Sequence, residues 1–194
     1  MDTTPFLNYI KKYIDLTIEE ETLLLSKLVY RNYLKDQYIA QQGDVCKTVN
    51  FILEGCTKTF YMGDDGQEHI VMFAIEDWWT SDLGSFITQT PADFNVQCIE
   101  HTTLIQFTFD NLESLYKEIP KLERLFRKIV ERAYAASQKR IIRNFSLSAK
   151  ARYQIFKTSN PEIDNRVPQY MIASYLGITK EFLSKIKSQI IQNK

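Results

Sequence analysis

The sequence predicts an α+β fold: an N-terminal β-roll of the double-stranded jelly-roll type with flanking helices, a long helix, and a small C-terminal helix-turn-helix domain lacking a full wing. Three observations predict it. Short runs rich in β-branched and aromatic residues, divided by turn residues, fill positions 29–109. From 112 to 136 an apolar repeat with gaps of three and four replaces them. Near the C-terminus two short amphipathic segments meet at Gly177. Apolar residues make up 44% of the 194 positions and aromatic residues 13%, which supplies a core and excludes a disordered chain.

Residues 6–30 read as helical, with Phe6, Ile10, Ile14, Leu23, Leu24 and Leu28 at helical spacing. The strand runs that follow include QYIAQQGD, VNFILEG, CTKTFYM, EHIVMFA and TTLIQFTF. Turn residues separate them at Gly43-Asp44, Glu54-Gly55, Asp65-Gly66 and Thr90-Pro91. YMGDDGQEHIV reads as a hairpin, because Asp65-Gly66 can supply the positive φ of a tight turn. Several short strands at this spacing imply a small roll.

Leu112, Leu115, Ile119, Leu122, Phe126, Ile129, Ala133 and Ala136 form an a/d seam. Pro120 suits a first helical turn, which places the main helix at 120–144. At 1.5 Å per residue this segment spans about 37 Å. Two partners suit the seam: the roll of the same chain, or the same helix of a second copy in a parallel two-fold dimer. The length favours the dimer, since such a helix overhangs a small roll. Leu122, Phe126, Ile129, Ala133 and Ala136 are its expected interface. NFSLSAK then breaks the seam, 147–159 reads as another helix, and 160–166 as a loop. The expected domains are the roll at 1–119, the long helix at 120–145 and the helix-turn-helix at 146–194.

In the last of these, Pro168 fits the start of a helix running to Leu176, and Gly177 can take the left-handed conformation that ends it. Thr179 is a good N-cap for a second helix reaching about Ile190. Ala173 sits where the helices cross most closely, while Ile172, Leu176, Leu183 and Ile186 form their shared core. Lys180, Glu181, Ser184, Lys185 and Ser188 then share the outer face of the second helix. Lysines, a carboxylate and hydroxyls are groups that reach phosphates and base edges in a major groove. An ordinary helical hairpin with a solvated polar face fits the same spacing. Charge favours DNA: residues 1–136 carry 13 Lys and Arg against 21 Asp and Glu, a balance of −8, whereas residues 137–194 carry 11 against 3, a balance of +8.

Other chemistries find little support. Cys46, Cys56 and Cys98 have no CxxC and no metal spacing, so they read as packed thiols in a reducing compartment. No leader pattern and no apolar run of bilayer length occurs, so a cytoplasmic protein without a membrane partner is expected. His69 and His101 are too few for a metal-binding roll and read as strand residues without ligand duty. GxGxxG, P-loop, GxSxG and HExxH motifs are absent. Neither enzyme activity nor a cofactor or metal is expected. The alternative function is a β-roll that binds a small molecule or a protein without sequence-specific DNA binding.

The chain resembles the Crp/Fnr family of bacterial transcription regulators. The resemblance rests on the leading helices, on QQGD and FILEG in the roll, on the long helix, and on QYMIASYLGITKEFLSKI. In that last stretch Ala173, Gly177, Leu183 and Ile186 match the family's helix-turn-helix spacing. The resemblance implies a cyclic-nucleotide-binding-like sensor roll, a homodimer on a two-fold symmetric operator, and contact with RNA polymerase. It puts the family's base-reading positions on Lys180, Glu181 and Lys185. With Gln169, Thr179, Ser184 and Ser188 these make up the expected DNA-binding set.

Two departures stand out. The family's phosphate-binding cassette has a glycine-glutamate pair and an arginine ten residues after the glutamate. Here the pair becomes Ser81-Asp82 and the arginine becomes Ala92. No Lys or Arg occurs from 59 to 116, where ten acids do. Ser81, Asp82, Leu83, Gly84, Ser85 and Ala92 are thus a degenerate pocket, in which a cyclic phosphate loses charge-assisted hydrogen bonds worth about 1.5–3 kcal/mol each. Cyclic AMP is not the expected effector, which stays unidentified, unless Lys121, Arg124, Arg127 or Lys128 reaches in from the long helix. Iron–sulfur members use four cysteines, three of them near the N-terminus, a pattern missing here. Members commonly continue into a β-hairpin wing, but only residues 191–194 follow the expected helix.

Overall fold

The computed structural model describes residues 2–192. Two helices, α1 (Thr4–Lys11) and α2 (Ile18–Ser26), divide the helical run expected over 6–30. The break has a chemical cause at Thr17. Its hydroxyl accepts from the Glu20 N–H at 3.2 Å, and the Glu20 carboxylate accepts from the Thr17 N–H at 2.8 Å. This capping box starts a new helix where the apolar spacing alone suggests continuity. Phe6 and Ile10 of α1 are buried, and the Phe6 ring meets Phe51 of the roll edge-on at 5.2 Å.

The roll consists of β1 (Val29–Tyr33), β2 (Tyr38–Ala40), β3 (Thr48–Glu54), β4 (Thr57–Met62), β5 (Glu68–Ala74), β6 (Trp79–Thr80), β7 (Asn95–Cys98) and β8 (Thr102–Thr108). They pair as two four-stranded sheets, ordered β1-β8-β3-β6 and β2-β7-β4-β5. The period of two sends Val49, Phe51, Ile105 and Phe107 to one face of the first sheet, under α1. Asn50, Ile52, Leu104 and Gln106 face the other way. The buried amides there satisfy one another: Gln106 Nε2 donates to Asn50 Oδ1 at 2.7 Å, and Asn50 Nδ2 to the Thr80 carbonyl at 2.9 Å. The expected hairpin joins β4 to β5, with Gly66 at φ +76° and the Gly63 N–H donating to the Gln67 carbonyl at 3.0 Å.

After β8 the chain forms α4 (Phe109–Glu118) and α5 (Lys121–Ser146), separated at Pro120. Much of the apolar seam packs within this chain's own core. Leu112, Leu115, Ile119, Leu122 and Leu125 are buried in one cluster with Phe51, Ile105 and Phe107. Phe126 lies edge-on to Trp79 at 5.0 Å and to Tyr116 at 5.6 Å, and Ile129 packs beside it. Leu122, Phe126 and Ile129 therefore pack on the roll of the same chain, Leu122 fully buried and Phe126 and Ile129 half-buried. An aromatic shelf of Trp79 and Phe107 takes them up. Residues 130–139 are exposed, Ala133 and Ala136 included, although Arg132 reaches back to donate to the Tyr13 hydroxyl at 2.6 Å.

The C-terminal unit comprises α6 (Ala149–Ser159), α7 (Pro161–Arg166), α8 (Gln169–Leu176) and α9 (Lys180–Gln192). A loop was expected at 160–166; instead Pro161 opens a short helix whose buried Asp164 accepts from the Tyr153 hydroxyl at 3.3 Å. Tyr153, Phe156, Ile163, Ile172, Leu176, Leu183 and Ile186 form the core, and it merges with Phe60, Ile70, Phe73 and Ile99 on the outside of the second sheet. The question of a wing concerns Asn193 and Lys194, which lie outside the described residues. No helix among the described residues is long and apolar enough to cross a membrane.

Because Phe126 belongs to the roll core, Phe126→Ala is expected to destabilise the folded chain by about 2–4 kcal/mol. Urea unfolding checks this; unchanged stability with weakened self-association would return Phe126 to a dimer interface.

Candidate functional site

Two sites come from these elements: the outward face of α9 and the cassette around α3 (Leu83–Thr88). Gly177 ends α8 at φ +65°, and the Ile178 N–H donates to the Ala173 carbonyl at 3.0 Å while the Gly177 N–H donates to Ser174 at 2.9 Å. This Schellman pattern makes the sharp turn. Thr179 caps α9, its hydroxyl accepting from the Phe182 N–H at 3.2 Å. Leu183 and Ile186 point into the core, so Lys180, Glu181, Ser184, Lys185 and Ser188 are exposed together. Lys180, Glu181 and Lys185 join no ion pair among the described residues. Ser188 Oγ donates to the Ser184 carbonyl at 3.1 Å. Gln169, at the start of α8, is half-buried and accepts from Lys187 Nζ at 2.7 Å. That contact braces α8 against α9, a role the sequence did not reveal for either residue.

The α8–α9 pair is held against the roll. Ser174 Oγ donates to the Glu68 carbonyl at 2.6 Å and accepts from the Ile70 N–H at 3.1 Å, both on β5. Arg140 of α5 donates to the Val71 carbonyl and, at 3.4 Å, to the Tyr175 carbonyl, with its guanidinium 4.3 Å from the Tyr175 ring centre. Burial pulls the Arg140 pKa below its ordinary value. Arg166 of α7 bridges Glu76, at 2.6 Å, and Glu100. The position of the outward face thus depends on roll residues that carry no signature of that role.

In the cassette, Asp82 is 4% exposed and its carboxylate is fully engaged by the chain itself. Oδ1 accepts from the Ser85 N–H at 3.0 Å as the N-cap of α3; Oδ2 accepts from the Asp93 and Phe94 N–H groups at 2.9 and 3.0 Å. Ser85 Oγ accepts from the Cys46 N–H at 2.8 Å and donates to the Thr90 carbonyl. Ala92 is buried, with its N–H bonded to the Asp44 carbonyl at 2.8 Å. Ser81 and Gly84 are not fully buried, and Leu83 packs on the apolar cluster under the roll. Lys121 pairs with Glu20 at 2.8 Å and Lys128 with Glu131 at 2.9 Å, so neither serves the cassette. A nucleotide phosphate would face a carboxylate already holding the amides, and that carboxylate joins no ion pair among the described residues. These residues do not fit a cyclic nucleotide. Asp93 and Phe94 were absent from the expected pocket because they act through backbone amides.

The three thiols, Cys46, Cys56 and Cys98, are buried and free, and burial pushes Cys56 up to about 12 and Cys98 to about 11. No cluster of metal-ligating side chains occurs among the described residues.

Asp82→Ala strands the buried Ser85 N–H and removes the acceptor of the part-buried Asp93 and Phe94 N–H groups, and a loss of about 1–3 kcal/mol is expected on urea unfolding. Calorimetry with cyclic AMP and cyclic GMP should give no binding near 1 μM, which corresponds to about −8 kcal/mol. Micromolar binding by the wild type would overturn the reading of the cassette.

Residues 30–118 match the family model of the cyclic nucleotide-binding domain. The chain is 24% identical over 193 residues to the transcriptional activator protein anr of Pseudomonas aeruginosa, covering 93% of this chain and 78% of that protein. It is 24% identical over 189 residues to the anaerobic regulatory protein of Haemophilus influenzae, covering 89% and 72%. Among solved structures, FixK2 of Bradyrhizobium japonicum superposes with a TM-score of 0.73 at 16% identity, covering 86% of this chain and 85% of that one. The c-di-GMP responsive global regulator CLP of Xanthomonas campestris gives 0.71 at 15% identity, covering 91% and 93%. Residues 30–118 thus form a domain of the cyclic nucleotide-binding type, and over most of its length the chain is similar to these transcription regulators and shares the fold of these solved structures.

Proposed function

We propose that this protein is a DNA-binding transcription regulator that acts as a homodimer, reading a two-fold symmetric operator with α9. The observation that carries this is the division of α9, with its apolar line buried and Lys180, Glu181, Ser184, Lys185 and Ser188 all facing out unpaired with acids. The two lysines supply phosphate or guanine contacts and Glu181 an acceptor for a cytosine amine. Thr179 and Gln169 act through the helix ends they hold in place. RNA polymerase is the macromolecular partner that this reading implies once the protein sits on DNA. The expected domain division at 1–119, 120–145 and 146–194 belongs to the same reading, with the roll as the sensor half.

The dimer contact moves along and around α5. Val130, Tyr134, Ile141 and Phe145 are exposed, Phe145 at 87%, and recur at gaps of four, seven and four. At 100° per residue they form one stripe, roughly 100° round the helix from the line of Leu122, Phe126 and Ile129. Ala133 continues the roll-facing line and Ala136 lies on the far side of that line from the stripe. An apolar stripe on a projecting helix with a near-heptad period fits a second copy of itself.

Replacing Lys180 or Lys185 by alanine is expected to cost about 1–3 kcal/mol of operator affinity if the side chain reaches a guanine edge. If it meets only phosphate, the loss should be equal on all sequences and the salt slope should fall by about one. Fluorescence anisotropy over a salt series decides between these. Unchanged binding in both variants and in Glu181→Ala would favour the alternative, a roll that binds small molecules or proteins without reading DNA.

Changing Tyr134 and Ile141 together to aspartate should give a monomer in sedimentation with unaltered unfolding of the roll. A dimer that survives this change would remove the stripe from the interface.

A further inference from the structure

The first two turns of α9 present polar groups to solvent with a single apolar exception. Phe182 is 48% exposed, although it lies between Glu181 and the core residue Leu183. It joins none of the buried clusters and none of the aromatic pairs among the described residues. The inner line of the helix is already filled by Leu183 and Ile186, so folding leaves about half of the Phe182 surface uncovered. It is three residues before Lys185, hence on the same side of the helix and about 4.5 Å from it along the axis, close to one base-pair step. A phenyl ring at this place, flanked by a lysine and a glutamate that reach outward, suits an apolar group inside an otherwise polar and anionic surface. In the major groove the group of that kind is the 5-methyl of thymine.

We propose that Phe182 reads a thymine methyl next to the base contacted by Lys185. The inference rests on the reading of α9 as the DNA-recognition helix and names a specificity that its charged residues do not supply. Lysines recognise guanine or phosphate, and a carboxylate recognises cytosine, so none of them selects an A·T pair. Phe182 adds that selection. The basic C-terminal segment, with its balance of +8, brings the phosphates close enough for the ring to enter the groove.

The test begins with selection of duplexes from a random pool by the full-length wild type. Each thymine of the selected half-site is then replaced singly by deoxyuridine, which removes the methyl group and nothing else. At one thymine per half-site the wild type should lose about fourfold in affinity, the ratio matching about 0.8 kcal/mol for one buried carbon at 1.4 kcal/mol per factor of ten. Substitution in both half-sites should multiply the factors to about fifteenfold. Phe182→Ala should bind the thymine duplex more weakly and show no further loss with deoxyuridine. Its own selected sequences should relax at that position, and Phe182→Leu should keep part of the methyl effect. Equal wild-type affinity for thymine and deoxyuridine duplexes at every position overturns the inference while leaving DNA recognition intact. A methyl effect that persists in Phe182→Ala overturns it as well. Failure of the wild type to enrich any sequence removes the DNA reading itself, and the inference with it. The ring is exposed, so thermal unfolding of Phe182→Ala should match the wild type.

Discussion

The free edge of β5 governs where the α8–α9 pair sits. β5 ends its sheet, so one side of its backbone has no strand to pair with. Ser174 of α8 takes the place of that strand, donating to Glu68 and accepting from Ile70. Arg140 completes the edge by donating to Ile70 and Val71 while holding the Tyr175 carbonyl. Sensor roll, long helix and helix-turn-helix thus share one set of backbone hydrogen bonds. Because a buried N–H or carbonyl without a partner costs roughly 1–3 kcal/mol, α8 cannot leave this edge cheaply unless water or another partner replaces it.

The same principle shapes the cassette. Converging amides attract an anion, and the chain supplies one from the buried Asp82. The carboxylate caps α3 and ties Asp93 and Phe94 to it, which stiffens the segment that in a nucleotide-binding roll would close on ligand. A built-in anion makes this part of the roll self-sufficient.

Legibility from sequence followed the range of the interactions. The α8–α9 pair was readable because Gly177, Thr179 and the apolar spacing are local, and each did what its chemistry dictates. The strands with strong β-branched runs were readable for the same reason, whereas β6 and β7 are short and defined by the strands they pair with. Thr17 shows the limit of periodicity: a cap three residues from a glutamate outweighed an apolar pattern that ran through it. The seam shows another. Leu122, Phe126 and Ile129 have the spacing of an interface, but spacing does not name the surface that covers them. The aromatic shelf of Trp79 and Phe107 comes from strands remote in sequence. Asp82 was legible as a departure from its family, but not as the ligand of two amides eleven and twelve residues away.

Charge placement links these pieces to the DNA-reading proposal. The acidic body does not simply attract the basic end, because the cations are sorted by task. Arg166 is committed to Glu76 and Glu100, and Arg140 and Arg152 to backbone carbonyls near the α5–α8 junction. These groups are spent on fixing the helical unit to the roll. Lys180 and Lys185 are left without acidic partners, on the side of α9 turned away from the core. Had the roll's carboxylates reached them, DNA phosphates would have to displace an existing ion pair before binding. With arginines used for docking and lysines left for the groove, approach of a polyanion strengthens no competitor inside the molecule. The tie between roll and helical unit therefore rests on hydrogen bonds to β5 and on Arg166, which salt screens less than exposed pairs, while the DNA contact proposed above would rest on exposed lysines, which salt screens strongly.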